Sequence, residues 1–238
     1  MKIFFNILTV FFTILAQIDE VNPDVIFVNE LKKPIKKHHI NFPYKKIIHR
    51  NSRRYSLEKH LILATIKAES NFNPYAVSED NAIGLMQVVA DKGGQEAWKL
   101  AFGDSCCISD FVLYEPEMNI RLGCAYFWCL KNRHFYRIKN NLSKMYCIIA
   151  AYNTGPSNVF KSIISDFEIQ YEIGSDKFKK LSSGKRYAIR REMAIKKINE
   201  ISSEKTKNLL LTNLPYEETV IYLKKVLTFM KDYENINN

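Results

Sequence analysis

A helical apolar pattern runs from Leu57 to Glu69 and is followed by a polar loop that leads to a glycine turn. Side chains three or four positions apart share one face of a helix, so Ile62, Ile66 and Glu69 lie along one stripe. A carboxyl group on an apolar stripe is partly desolvated, which raises its pKa and lets it donate a proton near neutral pH. The pattern makes Glu69 a candidate general acid, and a solvated glutamate at the edge of the stripe fits the same spacing.

Residues at both ends of this helix predict where it begins and where it ends. Ser56 can cap a helix N-terminus and Glu58 suits its first turn, so we expect the helix to begin at Leu57. Pro74 follows the pattern and stops the helix, because the residue before a proline avoids the helical region. The apolar run from Ile83 to Val89 contains a glycine and is either a short strand or a glycine turn that leads into a helix.

Turn-forming residues are scarce, with eight Gly and seven Pro in 238 residues. This scarcity favours long elements over an all-β fold with many turns. Further helices are predicted from Pro116, from Leu142 to Tyr152 and from Pro215, and Gly123 inside the first of them indicates a close helix crossing. No hairpin signal and no internal repeat is present, so the predicted fold class is mainly α.

The N-terminus predicts export. Met1 and Lys2 precede an apolar run from Ile3 to Ala16, which has the length of a signal peptide and is shorter than the roughly 20 residues that span a bilayer. No cysteine follows the run, so we expect a periplasmic protein that is not a lipoprotein, with this segment either cleaved or kept as a membrane anchor. The predicted organisation is a signal or anchor segment at 1–18, a basic linker at 19–43, a folded domain at 44–233 and a tail at 234–238.

Positive charge is concentrated near the linker. The formal net charge is +10, and the segment from Lys32 to Lys59 holds ten Lys or Arg against the single acid Glu58. Such a segment attracts polyanions, among them anionic lipids, nucleic acids and acidic wall polymers, and it also fits a purely solubilising surface. Interleaved basic and aromatic residues of the base-stacking kind are absent, so we do not expect nucleic acid as the partner.

The chain has five cysteines. They are Cys106, Cys107, Cys124, Cys129 and Cys147. Their spacing does not match zinc-ligand patterns, so no metal site is predicted. Two interpretations stay open: one disulfide that joins Cys106 or Cys107 to a helical cysteine, or thiols that are buried as small apolar groups.

Five short motifs follow one another in order along the chain. They are Ala68–Pro74, Gly84–Gln87, Glu115–Ile120 with Gly123 and Tyr126, Ala151–Pro156, and Leu214–Thr219 with Tyr222. Each motif alone is weak, but all five in this order are specific. From Tyr44 to Tyr233 the chain resembles the soluble-lytic-transglycosylase catalytic domain family, and Ser78–Val89 makes it most similar to the group of membrane-bound lytic murein transglycosylases C.

The resemblance implies a goose-type, lysozyme-like helical domain with a deep substrate cleft. It implies that Glu69 is the catalytic acid and base, that Ser70 is a hydrogen-bonding neighbour of the reacting sugar, and that Gln87 beside Met86 forms a polar wall. Tyr152, Asn153 and Tyr222 would face Glu69 across the cleft, with Tyr222 able to hydrogen-bond to it. The arginine that usually follows Glu-Thr in the last motif is Val220 here, which bears on the positioning of Tyr222.

The implied reaction is non-hydrolytic cleavage of the bond between N-acetylmuramic acid and N-acetylglucosamine, which leaves a 1,6-anhydromuramyl end. It needs no cofactor and no metal. The implied partner is peptidoglycan, with wall or membrane contact through Lys32–Lys59, and a monomer is expected. Two alternatives remain: a hydrolytic muramidase that uses Glu79 or Asp80 as a second carboxylate, and a wall-binding protein with a degenerate site.

Overall fold

The structure, a computed structural model, describes residues 43–104 and 107–234. Within these residues the chain is helical, as predicted, and two isolated bridges at Ile83 are the only β-type pairing. The α-helices are α1 (Lys45–Tyr55), α2 (Lys59–Ser70), α3 (Gln95–Phe102), α4 (Asp110–Tyr114), α5 (Pro116–Cys129), α6 (Asn141–Thr154), α7 (Pro156–Ile163), α8 (Asp166–Ile173), α9 (Ser175–Lys179), α10 (Ser183–Glu200), α11 (Ser203–Asn213) and α12 (Glu217–Glu234), and the turns Ala90–Gly94 and Leu130–His134 are π-helical. The predicted segment 1–18, the linker 19–43 except for Pro43 and the tail except for Glu234 lie outside the described residues.

Helix α2 lies in the core of the domain. Its residues from Leu61 to Ile66 are all buried, which is typical of a helix that is covered on every side. Its most extensive contact is with α12, so the beginning and the end of the described domain pack against each other. The helix ends at Ser70 because Asn71 adopts the left-handed conformation with a φ of 51° and donates its N–H to the Lys67 carbonyl.

The predicted N-terminus of this helix is wrong. Ser56 does not cap α2 but ends α1 in the left-handed conformation, with a φ of 50°. Glu58 takes the N-cap position of α2 without a side-chain hydrogen bond. Helix α1 itself was not expected, because its buried face carries the polar residues Asn51 and Ser52 beside Ile48. These side chains are accommodated because Asn51 donates to the Ile47 carbonyl and Ser52 donates to the Leu57 carbonyl.

Helices α5 and α6 follow their sequence signals closely. Pro116 is the first residue of α5, where its missing N–H is no loss. Helix α6 begins after Asn140, whose side chain accepts a hydrogen bond from the Ser143 N–H at 2.9 Å. It ends before Gly155, whose φ of 83° is a conformation that glycine adopts without strain.

At two places where the sequence left alternatives open, the structure has one of them. The run from Ile83 to Val89 is a turn rather than a strand, since Ile83 and Val88 form only a single bridge. A disulfide to a helical cysteine is not formed. Cys124, Cys129 and Cys147 are free thiols that are fully buried, as the alternative interpretation expected. Burial raises the pKa of each of these thiols, so they are unreactive in the folded chain.

No helix among the described residues is long and apolar enough to cross a membrane.

Candidate active site

Glu69 is the last residue but one of α2, and its side chain opens onto a cavity of about 280 Å³. The preceding turns of its stripe, at Ile62 and Ile66, are completely buried. The rest of the cavity wall comes from the loop before Gln87, the turn at Ala90–Gly94, the middle of α5 and the ends of α6 and α12. One carboxyl group therefore stands where the buried core meets an open cavity.

Burial raises the pKa of Glu69 from 4.5 to about 8. Desolvation is the largest cause, the negative charge of Glu218 raises the pKa further, and the hydroxyl of Tyr222 lowers it in part. At neutral pH the carboxyl group is mostly protonated and can act as a proton donor. The rise in pKa expected from the apolar stripe is confirmed.

Tyr152 is held between α5 and the turn that follows Ile83. Its hydroxyl donates a hydrogen bond to the Met86 carbonyl at 2.9 Å, and its ring stacks on Phe127 with the ring centres 4.2 Å apart. Gly123 permits this contact, because a Cβ there would lie 2.8 Å from the Tyr152 hydroxyl and 2.5 Å from the Met86 sulfur. The close approach at Gly123 is therefore made by the side chains of Met86 and Tyr152, and the helix crossing predicted there stays a prediction.

Asn153 and Tyr222 come from helices that are far apart in sequence and meet beside Glu69. Asn153 lines the cavity, and its side-chain oxygen accepts a hydrogen bond from the Thr219 hydroxyl at 2.7 Å. Tyr222 is buried, and its pKa is raised by this burial and by the nearby charge of Glu69, whereas the Thr65 hydroxyl lowers it in part. The Tyr222 hydroxyl is buried and Tyr222 does not line the cavity, so a contact between Tyr222 and substrate stays a prediction.

The segment Gly84–Gln87 forms one wall of the site. Gly84 has a φ of 79°, and a Cβ on it would lie 2.3 Å from the Asn119 amide nitrogen, so only glycine fits. Gln87 lines the cavity, and its side-chain amide donates to the Ala76 and Gly84 carbonyls at 3.1 Å each. The orientation of Gln87 is therefore set by the loop behind it.

Three of the residues predicted to contact substrate do not line the cavity: Ser70, Met86 and Tyr222. Met86 is fully buried beneath Gly123 and supports the cavity wall from behind, so a contact between Met86 and substrate stays a prediction. Ser70 is partly exposed, and its hydroxyl is within hydrogen-bonding distance of the Leu85 carbonyl at 2.8 Å and of the Ile66 carbonyl at 3.1 Å. A contact between Ser70 and a sugar stays a prediction.

The structure adds cavity residues that the sequence did not single out. Glu218 is exposed at the rim and acts electrostatically on Glu69. Lys92 and Tyr126 also line the cavity. Asp80 lies on the same cavity whereas Glu79 does not. Glu218 is part of the last sequence motif, and this was the one sequence feature that could have placed it at the site. No sequence motif contains Lys92. Among the described residues no group of three or more His, Cys, Asp or Glu could hold a metal ion.

Comparison with known proteins agrees with this geometry. The family model of the transglycosylase SLT domain matches residues 46–172. Membrane-bound lytic murein transglycosylase C from Pectobacterium atrosepticum is 36% identical over 190 residues, which are 80% of this chain and 46% of the relative. The protein of the same name from Mannheimia succiniciproducens is 35% identical over 80% of this chain and 46% of its own. The chain spans about half the length of the curated relatives it matches.

Two solved structures share the fold. An inactive mutant of the lytic transglycosylase Slt from Pseudomonas aeruginosa has a TM-score of 0.54 at 22% identity, covering 83% of this chain and 25% of that chain. The 70 kDa soluble lytic transglycosylase from Escherichia coli has a TM-score of 0.54 at 20% identity, covering 82% and 24%. They confirm the predicted mainly α, lysozyme-like fold. Because the family model covers more than half of the chain, this protein belongs to the transglycosylase SLT domain family.

Proposed function

We propose that the chain is a peptidoglycan lytic transglycosylase that cleaves the β-1,4 bond between N-acetylmuramic acid and N-acetylglucosamine. The observation that carries the proposal is the Glu69 carboxyl group, whose pKa is raised to about 8 by burial at the edge of an open cavity. Membership of the SLT domain family and the similarity to lytic murein transglycosylases support the choice of substrate.

In the first step Glu69 donates its proton to the glycosidic oxygen. A protonated carboxyl group is needed for this step, and desolvation supplies it at neutral pH. The bond to the anomeric carbon of the muramyl residue then breaks, and the N-acetyl group of that sugar stabilises the positive charge that develops there. Tyr222 lies close enough to act on Glu69 electrostatically, so its hydroxyl can stabilise the carboxylate that the first step leaves behind.

In the second step the Glu69 carboxylate acts as a base. It removes the proton of the muramyl 6-hydroxyl, whose oxygen closes onto the anomeric carbon. The product carries a 1,6-anhydromuramyl end, Glu69 is protonated again, and no water is consumed. A group with a raised pKa suits both steps, because it holds a proton strongly enough to reclaim it.

The hydrolytic alternative needs a second carboxylate that activates water. Glu79 does not line the cavity, and the charge of Asp80, which does, is not among the influences on Glu69. The carboxyl group that does influence Glu69 is that of Glu218, which is exposed at the rim. This arrangement favours the single-acid route over hydrolysis through Glu79 or Asp80.

We place the protein in the cell envelope, exported to the periplasm, since the relatives it matches are named membrane-bound. The exposed basic residues of α1 support contact with an anionic wall or membrane, because Arg53 and Arg54 have no ion-pair partner among the described residues. Positive charge at this surface would raise the local concentration of a polyanionic substrate.

The test is the substitution Glu69→Gln, assayed by mass spectrometry of the fragments released from purified peptidoglycan. We expect the release of anhydromuramyl products to fall at least about 100-fold, the lower end of what general acid and base catalysis contributes. Glu79→Gln is the matched control, since it removes a carboxyl group outside the cavity, and it should leave the rate within about twofold.

Three results would contradict the proposal. Activity of Glu69→Gln within a few-fold of wild type would show that another group supplies the proton. Products heavier by one water, with reducing ends, would show that the wild-type enzyme is a muramidase. Binding to peptidoglycan with no released fragment at all would favour the degenerate wall-binding alternative.

A further inference from the structure

Lys92 is the one basic residue among the described residues that line the cavity. Three carboxyl groups, those of Glu69, Asp80 and Glu218, line the same cavity. A cation in a site that already holds an excess of acids needs an explanation, because neither the acid nor the base step of the proposed reaction uses it.

The backbone that carries Lys92 is fixed by its surroundings. The N–H groups of Lys92 and Gly94 both donate to the Val89 carbonyl, at 3.3 and 3.1 Å, and at Lys92 the backbone leaves helical geometry with a φ of −115° and a ψ of −116°. Gly93 is pressed against Tyr126, since a Cβ there would lie 2.9 Å from the ring. The backbone of this turn is tightly packed and thus places Lys92 at the cavity.

The charge of Lys92 is not used within the described domain. Its side chain is exposed and forms no ion pair or hydrogen bond with a described residue. Glu69 has its pKa set by burial, Tyr222 and Glu218, and Lys92 is not among these influences. The ammonium group therefore neither anchors the turn nor adjusts the catalytic acid, and it remains available to a ligand.

We propose that Lys92 is a substrate-binding residue that recognises a carboxylate carried by the muramyl side of the glycan strand. The proposal rests on the proposed function and narrows it. N-acetylglucosamine is neutral, whereas muramic acid carries a lactyl group that ends in a carboxylate or continues into a stem peptide with carboxylates of its own. A cation on the wall of the cavity that holds Glu69 distinguishes these two sugars and favours strand positions that present the anion.

The experiment compares Lys92→Met with the conservative variant Lys92→Arg and with Lys99→Met, which removes an exposed charge of α3 outside the cavity. Three soluble glycans are used: peptide-bearing strands, strands stripped of peptide so that the lactyl carboxylate is free, and peptide-bearing strands with all carboxyl groups converted to methylamides. Dissociation constants are measured on the Glu69→Gln background, and kcat and KM are measured with Glu69 intact.

We expect Lys92→Met to weaken binding and raise KM about two- to fivefold on a carboxylate-bearing glycan, the effect of a partly exposed ion pair, with little change in kcat. Lys92→Arg and Lys99→Met should stay near wild type, and the methylamide glycan should bind wild type and Lys92→Met equally. If Lys92→Met weakens binding of the stripped strands more, the lactyl group supplies the carboxylate. If it weakens binding of the peptide-bearing strands more, the stem peptide supplies it.

The proposal is overturned if Lys92→Met behaves like Lys99→Met on all three glycans, or if it weakens binding of the methylamide glycan by the same factor. A failure of this proposal can be distinguished from a failure of the proposed function. If wild-type protein releases no anhydromuramyl product, the proposed function fails, and the dissociation constants alone then decide whether Lys92 recognises a carboxylate.

Discussion

Asn119 connects the wall of the site to α5, and replacing it tests how that wall is held. The side chain is fully buried. Its oxygen accepts the Met86 N–H at 2.7 Å, and its nitrogen donates to the Ile83 and Leu113 carbonyls at 2.8 and 2.7 Å. One amide thus joins the segment before Gln87 to helix α4 and to its own helix.

The cost of Asn119→Leu follows from these partners. Leucine has the same number and branching of side-chain heavy atoms as asparagine, so the substitution leaves no cavity. The Ile83 carbonyl keeps a second hydrogen bond from the Val88 N–H at 3.0 Å, but the Met86 N–H and the Leu113 carbonyl lose the partner that Asn119 gave them. Two unsatisfied buried groups cost about 1–3 kcal/mol each, so we expect the free energy of unfolding to fall by about 2–6 kcal/mol.

The variant Asn119→Asp tests the same hydrogen bonds through the pKa of the new carboxyl group. Aspartate keeps the acceptor for Met86 and loses the donors, so a carboxylate would face two carbonyl oxygens. Its pKa in the folded state should therefore be raised above the usual value of about 3.9. The sign follows from linkage: the variant is closest to wild type below pH 4 and becomes progressively less stable as the pH rises through the folded pKa.

Denaturant unfolding followed by circular dichroism measures both effects, with the m-value checked for constancy. Asn132→Leu is the matched control, because that exposed asparagine donates only to the Trp128 carbonyl of its own helical segment, and it should change stability by less than about 0.5 kcal/mol. A loss below about 1 kcal/mol for Asn119→Leu, or a pH profile of Asn119→Asp parallel to wild type, would refute the account.

Two further predictions concern charge. Because the pKa of Glu69 is raised from 4.5 to about 8, kcat/KM should fall as the pH rises above about 8. Unfolding measured against pH should show Glu69→Gln equal to wild type near pH 4 and more stable than wild type at pH 8, by on the order of 4 kcal/mol. A difference in stability that stays constant with pH would contradict the raised pKa. Replacing Arg53 and Arg54 by Glu should weaken association with isolated sacculi at low salt and not at high salt, and unchanged association at both would remove α1 from the binding surface.

Sequence signals predicted the elements whose ends are set locally. Pro116 starts α5, and α6 ends before Gly155, because a proline or a glycine restricts or frees the backbone regardless of distant contacts. Helix α1 was missed because its buried face includes Asn51 and Ser52, whose burial depends on hydrogen bonds that only the folded backbone provides. The spacing of Ile48, Asn51 and Tyr55 was its one available signal.

In the candidate site too, some residues have a local sequence signal and others do not. Glu69, Gln87, Tyr152, Asn153 and Tyr222 were found because they occupy ordered motifs, and the structure places all of them near one cavity. Met86 belongs to the same motif as Gln87, but its side chain lies beneath Gly123 whereas Gln87 lines the cavity, and only the folded turn decides which of two adjacent side chains faces the cavity. Lys92 was not found at all, since its access to the cavity arises from the packing of Gly93 on Tyr126.

The packing of α2 against α12 also determines when Glu69 can gain its raised pKa. Glu69 is made early, whereas Thr219 and Tyr222 are made much later, and the two helices form the most extensive contact of the domain. Domains fold as units once their residues are available, so an emerging chain that lacks α12 has a solvated Glu69 with the weak proton affinity of an ordinary glutamate. Glu69 therefore gains its high proton affinity only after the chain has been made through α12.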